Sequence, residues 1–359
     1  MVNTAFVAGG GPAGLAAAIA LRAQGLKVIV ADGNSPPIDK ACGEGLMPDS
    51  LAAAARLGIS IPTDAGFAFR GIRFCGPENS VDASFPQGHG LGIRRMALHA
   101  LLIEQAERSG VELRWKTPLS SLDGINARWI VGADGAASSV RRWAGLDRPR
   151  RNSRRFAFRR HYGLAPWTGC MEIHWSRDCQ FYVTPVAANE VCLVLMSHDP
   201  HLRIDAAFEL FPQLQRRLSG ALPASLERGA VTAVCRYRRV TRGNIALLGD
   251  ASGTVDAITG EGLCLAFRQA ALLASSIAEG SLARYQQGHS ALARRPTFMA
   301  DIMLLLDRRT RLRDRVLRTL SAQPRLFADL LAMHVGERGP LQIARTGVQL
   351  GWGLLGINS

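Results

Sequence analysis

Lysine is nearly absent from this chain. Of its 43 basic residues only Lys27, Lys40 and Lys116 are lysines, so arginine carries almost all the positive charge. With 29 acidic residues the formal net charge is +14. Such a balance suits anionic lipid surfaces, acidic substrates or nucleic acid. No nucleic-acid module occurs in the chain, so no nucleic-acid partner is expected. Cysteine is sparse too. The seven cysteines are scattered, with no CxxC and no paired framework. That pattern argues against a disulfide scaffold and against a zinc site, and no metal is expected. No apolar run reaches the roughly 18 residues of a membrane span, and no charged n-region with a cleavage site precedes the first apolar run. A cytoplasmic protein with reduced thiols is the expectation.

What is present is a chain of 359 residues with 47% hydrophobic content and 37 glycines. That length buries a large core and divides into two or three lobes. The glycines concentrate in turns. The first is Gly9-Gly10-Gly11-Pro12-Ala13-Gly14, read as Gly9-x-Gly11-x-x-Gly14. Ala5 to Val7 precede it as a buried strand would, and an Ala-rich run from Leu15 to Leu21 follows as a helix would. A second apolar run, Leu26 to Ala31, ends in Asp32. Gly9 allows the tight turn, Gly11 lets a pyrophosphate approach the backbone, and Gly14 lets helix pack on strand. Pro12 and Ala13 open the helix, whose free N–H groups attract phosphate. Asp32, 18 residues beyond Gly14, stands near the spacing at which a carboxylate accepts from an adenosine ribose.

Further along, residues 33–48 read as a loop carrying Lys40-Ala41-Cys42-Gly43-Glu44-Gly45. Alternation over 66–75 and 80–85 predicts strands, and Ile93 to Arg108 a helix. Ala127 to Val131 reads as a strand closing on Gly132-Ala133-Asp134-Gly135. Residues 156–198 read as successive strands, 205–218 as a helix and 231–239 as a strand. Ile245 to Leu248 runs into Gly249-Asp250-Ala251, and Gly260-Glu261-Gly262-Leu263 opens a long helix. The fold class is α/β with an α+β substrate sheet. A Rossmann-like nucleotide domain takes 1–65, 90–150 and 240–290. A mainly antiparallel sheet domain takes 66–89 and 151–239, and residues 291–359 form a C-terminal helical region.

Three stretches, in order, resemble the p-hydroxybenzoate hydroxylase-like FAD-dependent oxidoreductases. They are the opening turn with Asp32, the Gly132-Ala133-Asp134-Gly135-x-x-Ser138-x-Val140-Arg141 stretch, and Gly249-Asp250-Ala251 with Gly260-x-Gly262. Arg95 matches the family arginine that reaches the FAD pyrophosphate. Together they span roughly residues 1–280. The resemblance implies non-covalent FAD held by Gly9, Gly11, Pro12, Ala13, Gly14, Asp32, Cys42, Gly43, Arg95, Leu119, Asp134, Asp250, Gly260, Glu261, Gly262 and Leu263. For Asp134 a second role stands beside this one, bracing the turn between strand and helix.

Within the superfamily, the Lys40–Gly45 loop and Thr259-Gly260-Glu261-Gly262-Leu263 are most similar to the geranylgeranyl reductase-like branch, which hydrogenates isoprenoid C=C bonds. Tyr182, in Gln180-Phe181-Tyr182-Val183-Thr184-Pro185, stands where that branch carries a Trp over its substrate. Cys42, Glu44 and Tyr182 are therefore the catalytic candidates. Cys42 either faces the flavin or is a small buried apolar residue. Glu44 and Glu261 either order loops or relay protons. The implied activity is reduction of a hydrophobic small molecule by hydride from flavin N5. The alternatives are an FAD-dependent monooxygenase and a non-catalytic binding protein on the same fold. No second dinucleotide fold is visible, so either NAD(P)H bound transiently or a protein electron donor supplies the electrons. Finally, Leu305, Leu312, Val316 and Leu320 form a stripe within an arginine-rich stretch from Ile302 to Leu320. Such a helix either docks on the body or lies on the inner face of an anionic membrane.

Overall fold

The structure is a computed structural model. It describes residues 3–77, 79–147 and 149–336, and for residues 149–153 the backbone alone. The remainder of the expected C-terminal region, 337–359, lies outside the described residues.

The chain opens as its apolar spacing demands, with β1 (Thr4–Ala8), α1 (Pro12–Ala23) and β2 (Lys27–Ala31). β1 is buried along its whole length, because parallel neighbours flank it on both sides. Next come β3 (Gly45–Leu46), α2 (Pro48–Ala55), β4 (Phe67–Phe69), β5 (Gly71–Cys75), β6 (Ser80–Ser84) and β7 (Gly90–Gly92). Then follow α3 (Arg95–Arg108), β8 (Glu112–Arg114), β9 (Trp129–Gly132) and α4 (Ser139–Trp143). The long strand β10 (Pro149–Gly163) leads into β11 (Cys170–Trp175), β12 (Cys179–Ala187) and β13 (Glu190–Ser197).

The helix expected over 205–218 is broken. It divides into α5 (Ile204–Ala207), a 3-10 turn over Phe208–Leu210 and α6 (Pro212–Arg217). Pro212 has no N–H to continue the ladder and starts a new helix at its first position. β14 (Leu222–Pro223), β15 (Arg228–Tyr237), β16 (Thr241–Arg242), β17 (Ile245–Leu247) and β18 (Gly253–Thr254) complete the strands. The chain then turns helical: α7 (Gly262–Ala278), α8 (Ala283–Leu292), α9 (Arg294–Arg308), α10 (Thr310–Ala322) and α11 (Pro324–His334).

Three sheets result. One has the order β16-β17-β9-β1-β2-β8 and is parallel except for its β16–β17 edge. A second runs β18-β15-β10-β13-β12-β11-β5-β6, with β14 added on β10. The third, β3-β7-β4, links them. The large sheet is covered on both faces, and alternation sorts its side chains. On β13, Cys192, Val194 and Met196 join a core shared with α9–α11, while Val191, Leu193 and Leu195 join a core under α5 and α6.

The stretch from Ile302 to Leu320 is two helices rather than one, divided at Arg309 (φ −119°, ψ 77°). Of the expected stripe, Val316 and Leu320 are buried on the large sheet's core, so this part docks on the body. Leu305 stays exposed. No helix among the described residues is long and apolar enough to cross a membrane.

Candidate functional site

The opening turn is built by close packing. Gly9 has φ +109°, and a Cβ there would strike the Ala133 carbonyl at the end of β9. A Cβ on Gly14 would strike the Gly9 carbonyl. Gly11 is the opposite case: its Cβ would point into open space. It caps α1 without a side-chain bond, with Pro12 at the first helical turn, so the N–H groups there are open to an anion. Asp32 accepts from the Gly10 amide at 2.7 Å through one oxygen and from the Asn34 amide at 2.8 Å through the other. It thus holds the turn itself, beside the position the sequence assigned it.

His99 is the partner that sequence reasoning did not credit. It lies one turn after Arg95 on α3 and is fully buried. The Ile38 amide donates to Nδ1 at 2.9 Å, which leaves Nε2–H to donate to the Gly10 carbonyl at 2.7 Å. Burial pushes its pKa down, in keeping with this neutral form. Trp115 packs edge-on against His99 and closes the far side of Gly10. The i, i+4 spacing from Arg95 is the only local signal for this residue.

The 38–44 loop is fixed from several sides. Glu44 takes φ +56°, rare for a residue with a side chain. Its Oε1 accepts from the Arg95 amide at 3.1 Å and from Arg159 at 3.0 Å, and its Oε2 pairs with His161 Nε2 at 2.6 Å. Burial alone would raise its pKa. The His161 hydrogen bond and charge, the Arg95 amide and Arg159 overcome that, and the pKa falls below the usual carboxylate value. Arg159 Nη2 also donates to both Asp39 oxygens, at 3.0 and 2.9 Å. Thr184 donates to the Gly43 carbonyl at 2.7 Å. The Cys42 thiol accepts from the Glu44 amide at 3.4 Å, folded onto its own loop. Glu44 is therefore a fully engaged, buried carboxylate rather than one facing an open cavity. A signal for this cluster exists in β10, where Arg155, Arg159 and His161 recur on one face of a buried strand.

The third glycine turn closes against the first. Gly249 has φ +61° and its Cβ would strike Ala13 at 2.7 Å. The Gly249 amide donates to Gln269 Oε1 at 2.8 Å, and Gln269 in turn donates to His289 Nε2 at 3.0 Å. Burial holds His289 down at about 4. Asp250 stays half-exposed and pairs with Lys40 at 3.2 Å. A ring of contacts thus runs from the first turn to the third, across Lys40 to the loop, and back through Arg95 and His99.

Inside that ring, Gly11, Gly43 and Gly262 all present faces where a Cβ would meet no protein atom. Glu261 caps α7 without a side-chain bond, so a second helix N-terminus is open. Arg95 Nε is buried and has no hydrogen-bond partner among the described residues. An extended phosphate-bearing ligand with a polar ring fits this donor set. Pro12 is buried at the first turn of α1, and Gly260 takes φ +68° just before Glu261.

Other candidates lie elsewhere. Asp134 accepts from Ser138 Oγ at 2.5 Å and from the Ser139 and Val140 amides at 2.7 and 3.1 Å, which caps α4. Leu119 and Leu263 pack partly buried against the parallel sheet's core. The Glu261 side chain turns away to Arg295 (3.3 Å) and His334 (3.8 Å). Burial raises its pKa above the usual value. Tyr182 is buried, its hydroxyl bonded to Gln180 Oε1 at 2.9 Å and the Ile258 carbonyl at 3.3 Å. Burial raises its pKa well above the phenol value.

A cavity of about 150 Å³ lies between the large sheet and α9–α11. Ile72 and Ile173 line it from the sheet, Met303 and Phe327 from α9 and α11, and Met47, Ile258 and Thr259 complete its wall. Five of the chain's eight methionines line it.

Residues 4–56 match the family described as FAD binding domain. Over 314 residues the chain is 26% identical to a menaquinone reductase of Mycobacterium tuberculosis, covering 77% of each chain. The structure of a flavoprotein/dehydrogenase from Cytophaga hutchinsonii superposes with a TM-score of 0.83 at 16% identity, over 98% of both chains. A geranylgeranyl bacteriochlorophyll reductase-like structure from Thermoplasma acidophilum gives 0.74 at 19% identity, covering 97% of this chain and 99% of that one.

Proposed function

We propose that this chain, an FAD-dependent oxidoreductase with the fold of the p-hydroxybenzoate hydroxylase-like superfamily, reduces a C=C bond in a long apolar, isoprenoid-like molecule. The observation that carries the reading is the cavity. It is walled by flexible apolar side chains and includes Ile258 and Thr259, which directly precede Gly260 and the open backbone of Gly262 in the chain. Methionine walls adapt to an irregular chain at small cost. The mycobacterial relative's name, a reductase of a quinone, supports the same substrate character.

In this reading Gly11, the α1 N-terminus and Arg95 hold the pyrophosphate, Asp32 the adenosine ribose, and Asp250 the ribityl chain. When bound and reduced, FAD supplies a hydride. The open N-terminus of α7 stabilises negative charge beside it by roughly 0.3–2 kcal/mol. Cys42 forms part of the wall between cofactor and cavity. Glu44, with Arg159 and His161, keeps that loop in place, and Tyr182 fixes the Ile258 carbonyl. Electrons come from NAD(P)H bound transiently or from a protein donor, and the second hydrogen comes from water as a proton. The cavity's exposed neighbours Phe298, Ile302 and Leu305, with the arginines of α10, are a surface where a lipid-dissolved substrate enters.

The test is anaerobic reduction of the FAD-loaded protein followed by isoprenoid quinones or polyprenyl lipids. Rapid substrate-dependent reoxidation without oxygen, with a saturated product, is the expected result. A hydroxylated product formed only in air would replace the reading by a monooxygenase. Colourless protein that takes up no added FAD would sink both.

A further inference from the structure

The cavity is apolar almost everywhere, and its exceptions are not scattered. Of its eighteen lining residues only Thr259 and His334 are polar. Thr259 belongs to the 3-10 turn Ala257–Thr259 that leads into Gly260-Glu261-Gly262. His334 is the last residue of α11. The two come from different elements, yet both are tied to Glu261: Thr259 stands two residues before it, and His334 Nδ1 lies 3.8 Å from its Oε2. That Oε2 is buried and has no hydrogen-bond partner among the described residues. The Glu261 carboxylate is itself only 2% exposed. Its other oxygen meets Arg295, which also pairs with Asp49 at 2.9 Å.

We infer that His334 and Thr259 form a head-group anchor. They select a ligand that carries a carbonyl oxygen at the end nearest Gly260 and an apolar tail along α9–α11. The argument is one of unmatched polarity. A buried carboxylate oxygen without a donor is costly, and an imidazole 3.8 Å away is just beyond hydrogen-bond reach. A small turn of the ring lets Nδ1–H donate to Glu261. Nε2 then faces the cavity, where in the protonated ring it donates to a carbonyl oxygen. The Thr259 hydroxyl, at present a long 3.4 Å from the Asp256 carbonyl, is a second donor for that oxygen. A pure hydrocarbon would leave these groups unsatisfied in an otherwise dry site, which is the usual basis of strong discrimination. The inference rests on the cavity being the substrate site, and it adds which end of the substrate enters first.

The experiment compares two probes on the FAD-loaded protein in detergent micelles. One is 2-methyl-3-decyl-1,4-naphthoquinone. The other is 2-methyl-3-decylnaphthalene, the same shape without oxygens. Binding is followed by the change in flavin fluorescence. Wild type should prefer the quinone at least tenfold. His334→Leu should lose that preference and bind the hydrocarbon within twofold of wild type. His334→Gln, which keeps a donor, should retain most of it, and Thr259→Val should lose part. Equal weakening of both probes in His334→Leu would make His334 a mere wall residue and overturn the anchor. So would an unchanged preference, or a wild type that prefers neither. If wild type binds and discriminates as expected but reduces no C=C bond, the proposed reaction falls and the anchor stands.

Discussion

Single glycines divide into two kinds here, and the difference separates folding from binding. Gly14 and Gly9 sit where an added Cβ would collide with backbone carbonyls. Gly11 faces open space. Gly14→Ala should therefore impair folding outright. Gly11→Ala should leave the melting temperature of the cofactor-free protein within a degree or two of wild type and weaken FAD at least tenfold. Paired thermal melts and FAD titrations check this, and a large fall in the Gly11→Ala melting point would refute it. At this scale the sequence was informative wherever the chemistry is local. The opening turn and the backbone course around Gly249 and Gly260 could be read directly. The partners of Glu44 could not, because Arg159 and His161 stand more than a hundred residues away. Their recurrence on one face of β10 marks a buried charged face, but no periodicity says which acid it meets. The same holds for His99 and Gly10, joined across 89 residues.

At the scale of elements, the C-terminal helices do two jobs. α10 and α11 complete the core on one face of the large sheet, and they roof the cavity. Phe327 does both: it is 3% exposed and its ring centroid lies 4.6 Å from that of Phe74. Phe327→Ala should cost about 3–5 kcal/mol of stability, read by urea unfolding. It should also shift preference toward bulkier ligands by opening the roof. A stable variant with unchanged ligand preference would remove Phe327 from the site. The sequence revealed the helical character of this region and its apolar spacing. It did not reveal the break at Arg309, where no proline or glycine marks the end of α9. Nor did it reveal that the stripe faces a sheet, since amphipathic spacing looks the same against a sheet as against a membrane. The break at Pro212 carried a visible signal, and the expected single helix over 205–218 overlooked it.

For the whole molecule, pH is the informative variable. Burial holds His289 at about 4, whereas an unfolded histidine titrates near 6.5. Between these values the unfolded chain takes up a proton that the folded chain refuses. Stability is then full above about pH 6.5 and falls as pH drops toward 4, by up to about 3 kcal/mol for this one group. His99, also depressed by burial, adds to the same slope. Glu44, lowered overall, adds a further loss in more acidic solution, below the usual carboxylate value. Urea unfolding at steps from pH 7.5 to 4 should show this decline. His289→Gln should flatten it, and an unchanged slope in that variant would contradict the assignment.

The interleaving of the two sheets has a temporal consequence. The parallel sheet is not finished until β17 emerges, and the third turn not until Gly262. By then β1 to β15 have already been made, so the halves of the cofactor ring wait for one another during synthesis. α9–α11 come later still. A growing chain can therefore complete its cofactor cradle while the neighbouring cavity is roofless. Uptake of FAD can precede enclosure of the space where substrate is proposed to react, because the helices that shut the door leave the ribosome after the cradle's residues.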